Sequence, residues 1–362
     1  MQLALSQTLP SLPLHAGVAV IRPRSLGDII LTTPALHALK AWRPDLRLAC
    51  VVEDRFAAVL ENNPDLDAVL ALRRRVPRDT SGESAGFWRT CQRLRRFSPQ
   101  VVVNLHAGNQ ATGLSLLAGA RWRSGFAQGR NAWALNRGTP PLPPGPGRDY
   151  PHAAEHAASL FYSLGLPVTE LGPSRVYAGA PARARIQARL RACGGGPWFF
   201  LHAHARESAM RWPASHMAEL IGGLFQSYGW QTVMAREKGA PRPSVEEAIV
   251  ERVEMLLPGK NAAIFFPETA CADLIALMDE CVLAWGNDGG PLHLAAALGK
   301  PVLAIFGPTH PEIWHPWRTS HRLLRPENSG GISTIQPDAV RQGLHALMPR
   351  EQLPYRVPDS SD

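Results

Sequence analysis

The chain reads LAWGNDGGPLHLAAALGKPVLAIFG from residue 283 to residue 307. An apolar run ends at Trp285, and the glycine-rich segment 286–290 then turns the chain. Pro291 suits the first position of a helix, where its missing N–H costs nothing, and Gly299 suits the position after the helix end. A second apolar run follows at residues 302–306. This order of strand, tight loop, short helix and strand predicts one βαβ unit of a parallel α/β fold.

The loop of this unit suits a phosphate group. Gly289 and Gly290 place backbone N–H groups, with no side chains in the way, at a helix N-terminus where the helix dipole is positive. His293, about one turn into the helix, would lie beside the same anion. Plainer interpretations stay open, because Asp288 could cap the helix and His293 could be a polar residue whose hydrogen bonds are satisfied.

The same alternation of strands and helices fills both halves of the chain. The first half has apolar runs at residues 18–21, 48–52 and 101–105, and the second half begins with another at residues 198–202. Residues 178–197 between them are typical of an inter-domain linker that contains a helix at residues 183–191. No GxGxxG string follows a predicted strand and no Walker A string occurs in the sequence, which disfavours dehydrogenases and P-loop NTPases.

Two strings carry a family resemblance. Residues 288–301 have the form DxGPxHxAAALGxP, and residues 21–39 read IRPRSLGDIILTTPALHAL. Both resemble glycosyltransferase family 9, the ADP-heptose:lipopolysaccharide heptosyltransferases. The resemblance implies a GT-B fold, in which two Rossmann-like α/β domains face a cleft. It predicts an acceptor-binding domain at 1–180 and a nucleotide-sugar-binding domain at 181–337, with a closing helix at about 338–350 packed back on the first domain.

The resemblance also implies roles for individual residues. The family's catalytic base is an aspartate after a glycine, which here is Asp28, although capping a helix is the plainer role for this residue. Arg24, Ser25 and His106 are predicted to bind the acceptor. The residues predicted to bind the donor are Asp288, Gly289, Gly290, His293, Arg206 and Arg211.

Two positions depart from the family pattern. The family usually has a lysine two places before the tryptophan of its second domain, and that lysine contacts the donor diphosphate. Met210 stands there in this chain, with Arg211 next to it. Arg206 or Arg211 would have to supply the charge, and arginine does not match lysine in reach or geometry. Gly289 replaces the family's usual Ser or Thr, which removes a hydroxyl and leaves the backbone donors.

The function implied by the resemblance is that of an inverting glycosyltransferase. It would move a heptose or a related sugar from an ADP-sugar to an inner-core acceptor of lipopolysaccharide, without a metal or another cofactor. The departures at Met210 and Gly289 leave one alternative open, a nucleotide-sugar-binding member of the family whose catalysis is impaired.

Charge is unevenly distributed along the chain. Residues 1–150 carry 19 Lys/Arg and 10 Asp/Glu, a net charge of +9, whereas residues 151–362 carry 19 and 20, a net charge of −1. A basic half suits an anionic glycolipid acceptor or an anionic membrane surface, and a dispersed solvated surface explains it equally well. Nucleic acid is not an expected partner.

Cysteine usage and the N-terminal residues bear on localisation. The five cysteines are scattered and form no CxxC pair, which favours a reducing compartment. Residues 1–16 contain no Lys or Arg and are interrupted by two prolines, unlike a signal peptide. We therefore expect a cytoplasmic protein, with peripheral contact to the inner face of the cell membrane left open.

The string HAAEH at residues 152–156 has the form of an inverted zinc-protease motif. On a helix it would place His152 and His156 one turn apart with Glu155 between them. A zinc hydrolase using these three residues is therefore a second alternative, but zinc also needs a further ligand that the sequence does not place. Because short patterns recur by accident, two surface histidines are the preferred interpretation.

Overall fold

The computed structural model describes residues 7–73, 83–145, 147–240, 242–327 and 330–348. The chain divides into two compact units. The first comprises Met1–Gly179 and Glu312–Arg318, and the second comprises Ala180–Pro311 and Thr319–Asp362. No helix within the described ranges is long and apolar enough to cross a membrane.

The first unit contains a parallel six-stranded sheet in the order β3-β2-β1-β4-β5-β6. Its strands are β1 (Gly17–Ile21), β2 (Arg47–Glu53), β3 (Ala68–Leu72), β4 (Pro99–Asn104), β5 (Trp122–Phe126) and β6 (Arg137–Thr139). Its helices are α1 (Leu26–Trp42), α2 (Glu83–Phe97), α3 (Asn109–Leu117) and α4 (Ala153–Ser163). All five residues of β1 are buried, as expected for a central parallel strand covered on both faces.

The second unit repeats this arrangement, with sheet order β12-β11-β10-β7-β8-β9. Its helices are α5 (Ala180–Ala192), α6 (Ala214–Tyr228), α7 (Val245–Leu256), α8 (Cys271–Glu280), α9 (Gly290–Ala297) and α11 (Pro337–Leu347). Its strands are β7 (Trp198–His202), β8 (Gln231–Glu237), β9 (Ala263–Thr269), β10 (Leu283–Asn287), β11 (Val302–Ile305) and β12 (His321–Leu324). The short helix α10 (Pro311–Trp314) begins where the chain returns to the first unit.

Counted from its own first strand, each sheet has the order 3-2-1-4-5-6 of a doubly wound Rossmann fold. In such a sheet the connections leave in opposite directions from strands 1 and 4, and ligands bind at the carboxyl ends of those two strands. The two switch points are therefore the ends of β1 and β4 in the first unit, and the ends of β7 and β10 in the second.

The prediction that the closing helix packs on the first domain is wrong. Its apolar residues Val340, Leu344 and Leu347 are buried in the core of the second unit, together with Leu303 of β11. These residues recur at helical spacing on one face, and that face is covered by α6 and β11. The segment that returns to the first unit is Glu312–Arg318, and the observed division falls after Gly179.

Candidate active site

The first candidate centre lies at the switch point of the first sheet. Arg22 directly follows β1, and its guanidinium donates hydrogen bonds to the Leu105 carbonyl after β4 and to the Asp28 carboxylate. Through these two hydrogen bonds, Arg22 connects the ends of β1 and β4 to the first turn of α1. An α/β sheet of this order binds its ligands at this place.

Asp28 also caps its helix. One carboxylate oxygen, Oδ2, accepts hydrogen bonds from the Ser25 backbone N–H at 3.2 Å and from the Ser25 hydroxyl at 3.0 Å. The side chain is 22% exposed and lines a cavity beside the helix. The capping role is therefore present, and the same contacts fix a carboxylate at the wall of a cavity. The two interpretations of Asp28 are compatible.

The Asp28 cavity has a volume of about 240 Å³ and lies within the first unit. Its wall includes the side chains of Arg22, Asp28, Phe126, Tyr150, His156 and Trp314. Pockets for drug-sized ligands measure about 300–1,000 Å³, so this smaller volume suits a single sugar ring. The aromatic and histidine residues come from three separate segments, with Phe126 in the first, Tyr150 and His156 in the second and Trp314 in the third, and no string of the chain indicates that these segments meet.

The three residues predicted to bind the acceptor lie close in the chain to residues of this cavity wall, but the wall does not include them. Ser25 holds the Asp28 carboxylate, and His106 follows Leu105 of the cavity wall. Burial lowers the pKa of His106, and the positive charges of Arg24 and Arg22 lower it further, so its imidazole is neutral at pH 7. Binding of an acceptor by Arg24, Ser25 and His106 stays a prediction.

The HAAEH string forms a helix cap rather than a metal site. His152 is the residue before α4, and its Nδ1 accepts a hydrogen bond from the Ala154 N–H while its Nε2 lies 3.0 Å from the His315 carbonyl. Glu155 accepts from the His152 N–H and from both Nη atoms of Arg148. Both nitrogens of His152 and the Glu155 carboxylate are thus engaged within the protein.

These contacts disfavour the zinc-hydrolase alternative and correct the surface interpretation. His152 is fully buried because the helix begins at Ala153, which turns the preceding side chain inward. His156 is partly buried, and its ring stacks on Phe126. Within the described part of the chain, no group of three His, Cys, Asp or Glu side chains could hold a metal ion.

The second candidate centre is the loop between β10 and α9, at the switch point of the second sheet. Helix α9 begins at Gly290, one residue earlier than Pro291, with Gly289 at its N-cap. The cap interpretation of Asp288 is therefore wrong. His293 lies in the first turn of the helix and is only 5% exposed. The backbone N–H groups of this turn face the end of the sheet where an anion would bind.

Asn287, at the end of β10, forms two hydrogen bonds that hold a second loop, residues 203–212, next to this centre. Its Oδ1 accepts a hydrogen bond from the Trp212 N–H at 2.9 Å, and its Nδ2 donates to the Ala203 carbonyl at 2.6 Å. These two bonds hold both ends of the segment 203–212, which carries both predicted donor arginines. This role of Asn287 was not predicted from the sequence, although a buried amide directly after an apolar strand is a usable signal.

Within that segment the two arginines differ. Arg211 donates from Nη2 to the Ala205 carbonyl at 2.9 Å, so its guanidinium stabilises the loop itself. Arg206 is exposed, and Met210 is partly buried at the end of a short 3-10 turn, Ser208–Met210. Of the two arginines, Arg206 is therefore better placed to supply the charge of the missing lysine.

Gly289 fits its position because His202 occupies the adjacent space. A Cβ added at Gly289 would lie 2.5 Å from Nε2 of His202, the last residue of β7. Burial, with a smaller contribution from His204, lowers the pKa of His202 to about 3, so the imidazole is neutral at pH 7. The His202 imidazole therefore occupies space that the side chain of a Ser or Thr at position 289 would need.

The environment of Asp288 predicts a pH-dependent stability. Burial raises its pKa from 3.8 to about 6, although the Thr309 hydroxyl donates to Oδ2 at 2.9 Å and opposes that shift. Between about pH 4 and 6 the folded state therefore holds a proton that the unfolded state has released, and stability falls as pH rises through that window. Asp288→Asn, which keeps the Thr309 bond, should raise the unfolding free energy at pH 8 by on the order of 2 kcal/mol.

Urea unfolding at pH 4 and pH 8 tests this expectation. The gain from Asp288→Asn should be present at pH 8 and absent at pH 4. Asp338→Asn is the matched control, because Arg341 lowers the pKa of Asp338 and removal of that carboxylate should reduce stability at pH 8. An equal gain from Asp288→Asn at both pH values would show that the charge of Asp288 is not the cause.

Known proteins resemble this chain over most of its length. Residues 87–336 match the family model described as glycosyltransferase family 9 (heptosyltransferase). The chain is 25% identical to lipopolysaccharide heptosyltransferase 3 of Escherichia coli (strain K12), over 90% of this chain and 96% of that protein. It is 27% identical to lipopolysaccharide heptosyltransferase 1 of Pseudomonas aeruginosa, over 81% of this chain and 79% of that protein.

Solved structures share the fold. A glycosyltransferase family 9 protein from Veillonella parvula superposes with a TM-score of 0.79 at 20% identity, covering 92% of this chain and 97% of its own. An Escherichia coli heptosyltransferase solved with ADP gives a TM-score of 0.73 at 21% identity, covering 92% and 100%. The two parallel six-stranded sheets and these neighbours confirm the predicted α/β class and GT-B fold.

Proposed function

Because the chain belongs to glycosyltransferase family 9, we propose that it transfers a heptose, or a related sugar, from an ADP-sugar to an inner-core acceptor of lipopolysaccharide. Its relatives named above are lipopolysaccharide heptosyltransferases, and one structural neighbour was solved with ADP. The observation that carries the proposal is the Asp28 carboxylate, held by Arg22 and Ser25 at the wall of a cavity that suits one sugar ring.

In the proposed reaction Asp28 is the general base. A carboxylate has about four lone-pair sites, so the three hydrogen bonds from Arg22 and Ser25 leave one site for an acceptor hydroxyl. Asp28 takes the hydroxyl proton, the oxygen attacks the anomeric carbon, and the bond from that carbon to the diphosphate breaks as ADP leaves with the electron pair. A single displacement of this kind inverts the anomeric configuration. Arg24, Ser25 and His106 are proposed to orient the acceptor.

The second unit is proposed to bind the donor. The N–H groups of Gly289 and Gly290, the first-turn His293 and the exposed Arg206 would stabilise the negative charge that develops on the leaving diphosphate. Arg211 would act by holding the loop that carries Arg206. Asp288, whose pKa is raised to about 6, tolerates a nearby anion better than an ordinary aspartate because it is more easily protonated. These groups make a metal unnecessary in the proposed mechanism.

Nucleotide binding is the first test of this proposal. We expect ADP or an ADP-sugar to stabilise the protein by roughly 3 kcal/mol at a hundredfold excess over its dissociation constant. A thermal-shift screen of ADP, UDP, GDP and their sugar conjugates measures this directly. Stabilisation by UDP compounds and not by ADP compounds would contradict the donor assignment while leaving the fold unaffected.

The alternative of an impaired family member rests on Met210 and Gly289. In the structure Arg206 lies on the same loop as Met210, and the His202 imidazole lies against Gly289, so both departures have neighbours that can replace the missing groups. This observation favours an active enzyme. An ADP-stabilised protein that turns over no ADP-heptose with any inner-core acceptor would establish the alternative.

From the basic N-terminal half we further propose that the protein is cytoplasmic and contacts the inner face of the cell membrane. Helix α2 exposes Trp88 together with Arg89, Arg93 and Arg96, and Trp133 of the same unit is 72% exposed. Arginine is attracted to anionic headgroups, and indole rings favour the membrane interface. We expect weak binding to anionic vesicles that is lost as salt rises, measured by co-sedimentation. Binding that salt does not change, or none at low salt, would contradict the electrostatic proposal.

A further inference from the structure

His156 lies at the wall of the Asp28 cavity without a structural partner for its nitrogens. It sits one turn into α4, and its ring stacks on Phe126 with centroids 4.1 Å apart and planes inclined by 7°. Neither ring nitrogen forms a hydrogen bond within the described residues, whereas both nitrogens of the nearby His152 do. Stacking therefore fixes the ring and leaves its polar atoms available to a ligand.

The charge state of His156 suits recognition of a hydroxyl group. Burial lowers its pKa, and the positive charge of Arg22 lowers it further, so the imidazole is neutral at pH 7. A neutral imidazole offers one N–H donor and one acceptor nitrogen. A sugar hydroxyl needs that combination, because it donates one hydrogen bond and accepts others. An anionic phosphate would instead be matched by a cation.

We propose that His156 is an acceptor-binding residue, which hydrogen-bonds a hydroxyl of the acceptor sugar inside the Asp28 cavity and so orients the hydroxyl that Asp28 deprotonates. This inference rests on the proposed function and adds a residue to its acceptor site. Phe126 is then a positioning residue that holds the imidazole plane. Asp28 and Arg22 line the same cavity, so a sugar bound there meets His156 and the base together.

Steady-state kinetics of two variants test the proposal, with acceptor and donor concentrations varied separately. His156→Ala should raise the KM for the acceptor by about tenfold, the effect of one ordinary hydrogen bond, and leave the ADP thermal shift unchanged. His156→Gln, whose amide can donate and accept, should recover most of the loss. His37→Gln is the matched control, because His37 is a partly buried histidine of the same unit that binds Asp65 away from the cavity.

The outcomes separate this inference from the proposed function. If the unaltered protein turns over neither ADP-heptose nor a related ADP-sugar with the acceptor, the proposed function fails and the role of His156 fails with it. If the unaltered protein is active and His156→Ala keeps its acceptor KM, the role of His156 is overturned and the proposed function stands. A kcat loss without a change in acceptor KM, equal in His156→Ala and His156→Gln, would likewise overturn it, because a packing role predicts that pattern.

Discussion

Asp28→Asn is expected to reduce turnover by about 10²–10⁴-fold, the usual contribution of a general base. The amide keeps the shape of the side chain, and its oxygen can still accept the hydrogen bond that the Ser25 N–H gives to the carboxylate. The change therefore removes the proton acceptor and the ion pair with Arg22 but keeps the cap at the start of α1, so the variant should lose some stability and stay folded. Because the proposed donor site belongs to the other unit, ADP affinity should stay unchanged, so the loss should appear in kcat.

Asp45→Asn is the control for Asp28→Asn. Asp45 is also an ion-paired aspartate of the first unit, since its carboxylate binds Arg43 at 2.7 Å. The control should cost some stability and leave turnover close to that of the unaltered enzyme. Near-normal turnover of a folded Asp28→Asn protein would show that Asp28 is a helix cap alone, and the mechanism would lack its base.

Gly286→Ala is expected to destabilise the second unit by about 3 kcal/mol, because two independent strains act at this position. Gly286 has a φ of 130°, which L side chains rarely adopt. An added Cβ would also lie 2.3 Å from the His202 carbonyl oxygen, a backbone atom of the neighbouring strand β7. The strand pair at the switch point would have to separate. A Tm lower by about 10 °C is the corresponding shift in calorimetry.

Gly223→Ala is expected to change the stability in the opposite direction. Gly223 lies inside α6, and a Cβ added there meets no atom within 4 Å, so alanine should stabilise the helix by about 0.5–1 kcal/mol. Equal effects of the two substitutions would contradict the argument, since they would show that neither φ nor the contact with His202 matters at Gly286.

The parts of the fold that the sequence predicted are those governed by local rules. The stretch 283–307 combines apolar runs, a glycine loop and a helix with proline at its start, and the structure forms β10, α9 and β11 there. Residues 178–197 contain helix α5, whose buried Ala182, Ile186 and Leu190 recur at helical spacing, and this pattern is also local. By contrast, local patterns do not show what covers the apolar face of α11, because α6 and β11, which cover it, are separate segments of the sequence.

The candidate site shows the same division. Asp28, Gly289 and Gly290 lie in strings whose local structure is set by neighbouring residues. His156 and Phe126 meet only because α4 packs beside β5, and His202 meets Gly289 only because β7 pairs with β10. His152 of the HxxEH string was predicted to lie at the surface, but it is buried at the start of α4. Nothing in the string shows that the helix begins after His152. Contacts between sequence-distant segments therefore account for what was missed.

Release of ADP from ADP-heptose tests the central claim most directly. The reaction is followed with and without lipopolysaccharide that lacks heptose, and with and without EDTA. The mass of the glycolipid product is measured by mass spectrometry. The proposed function predicts ADP release that depends on the acceptor, a glycolipid heavier by one heptose, and no effect of EDTA. Acceptor-independent or absent ADP release, from a protein that ADP still stabilises, would contradict it.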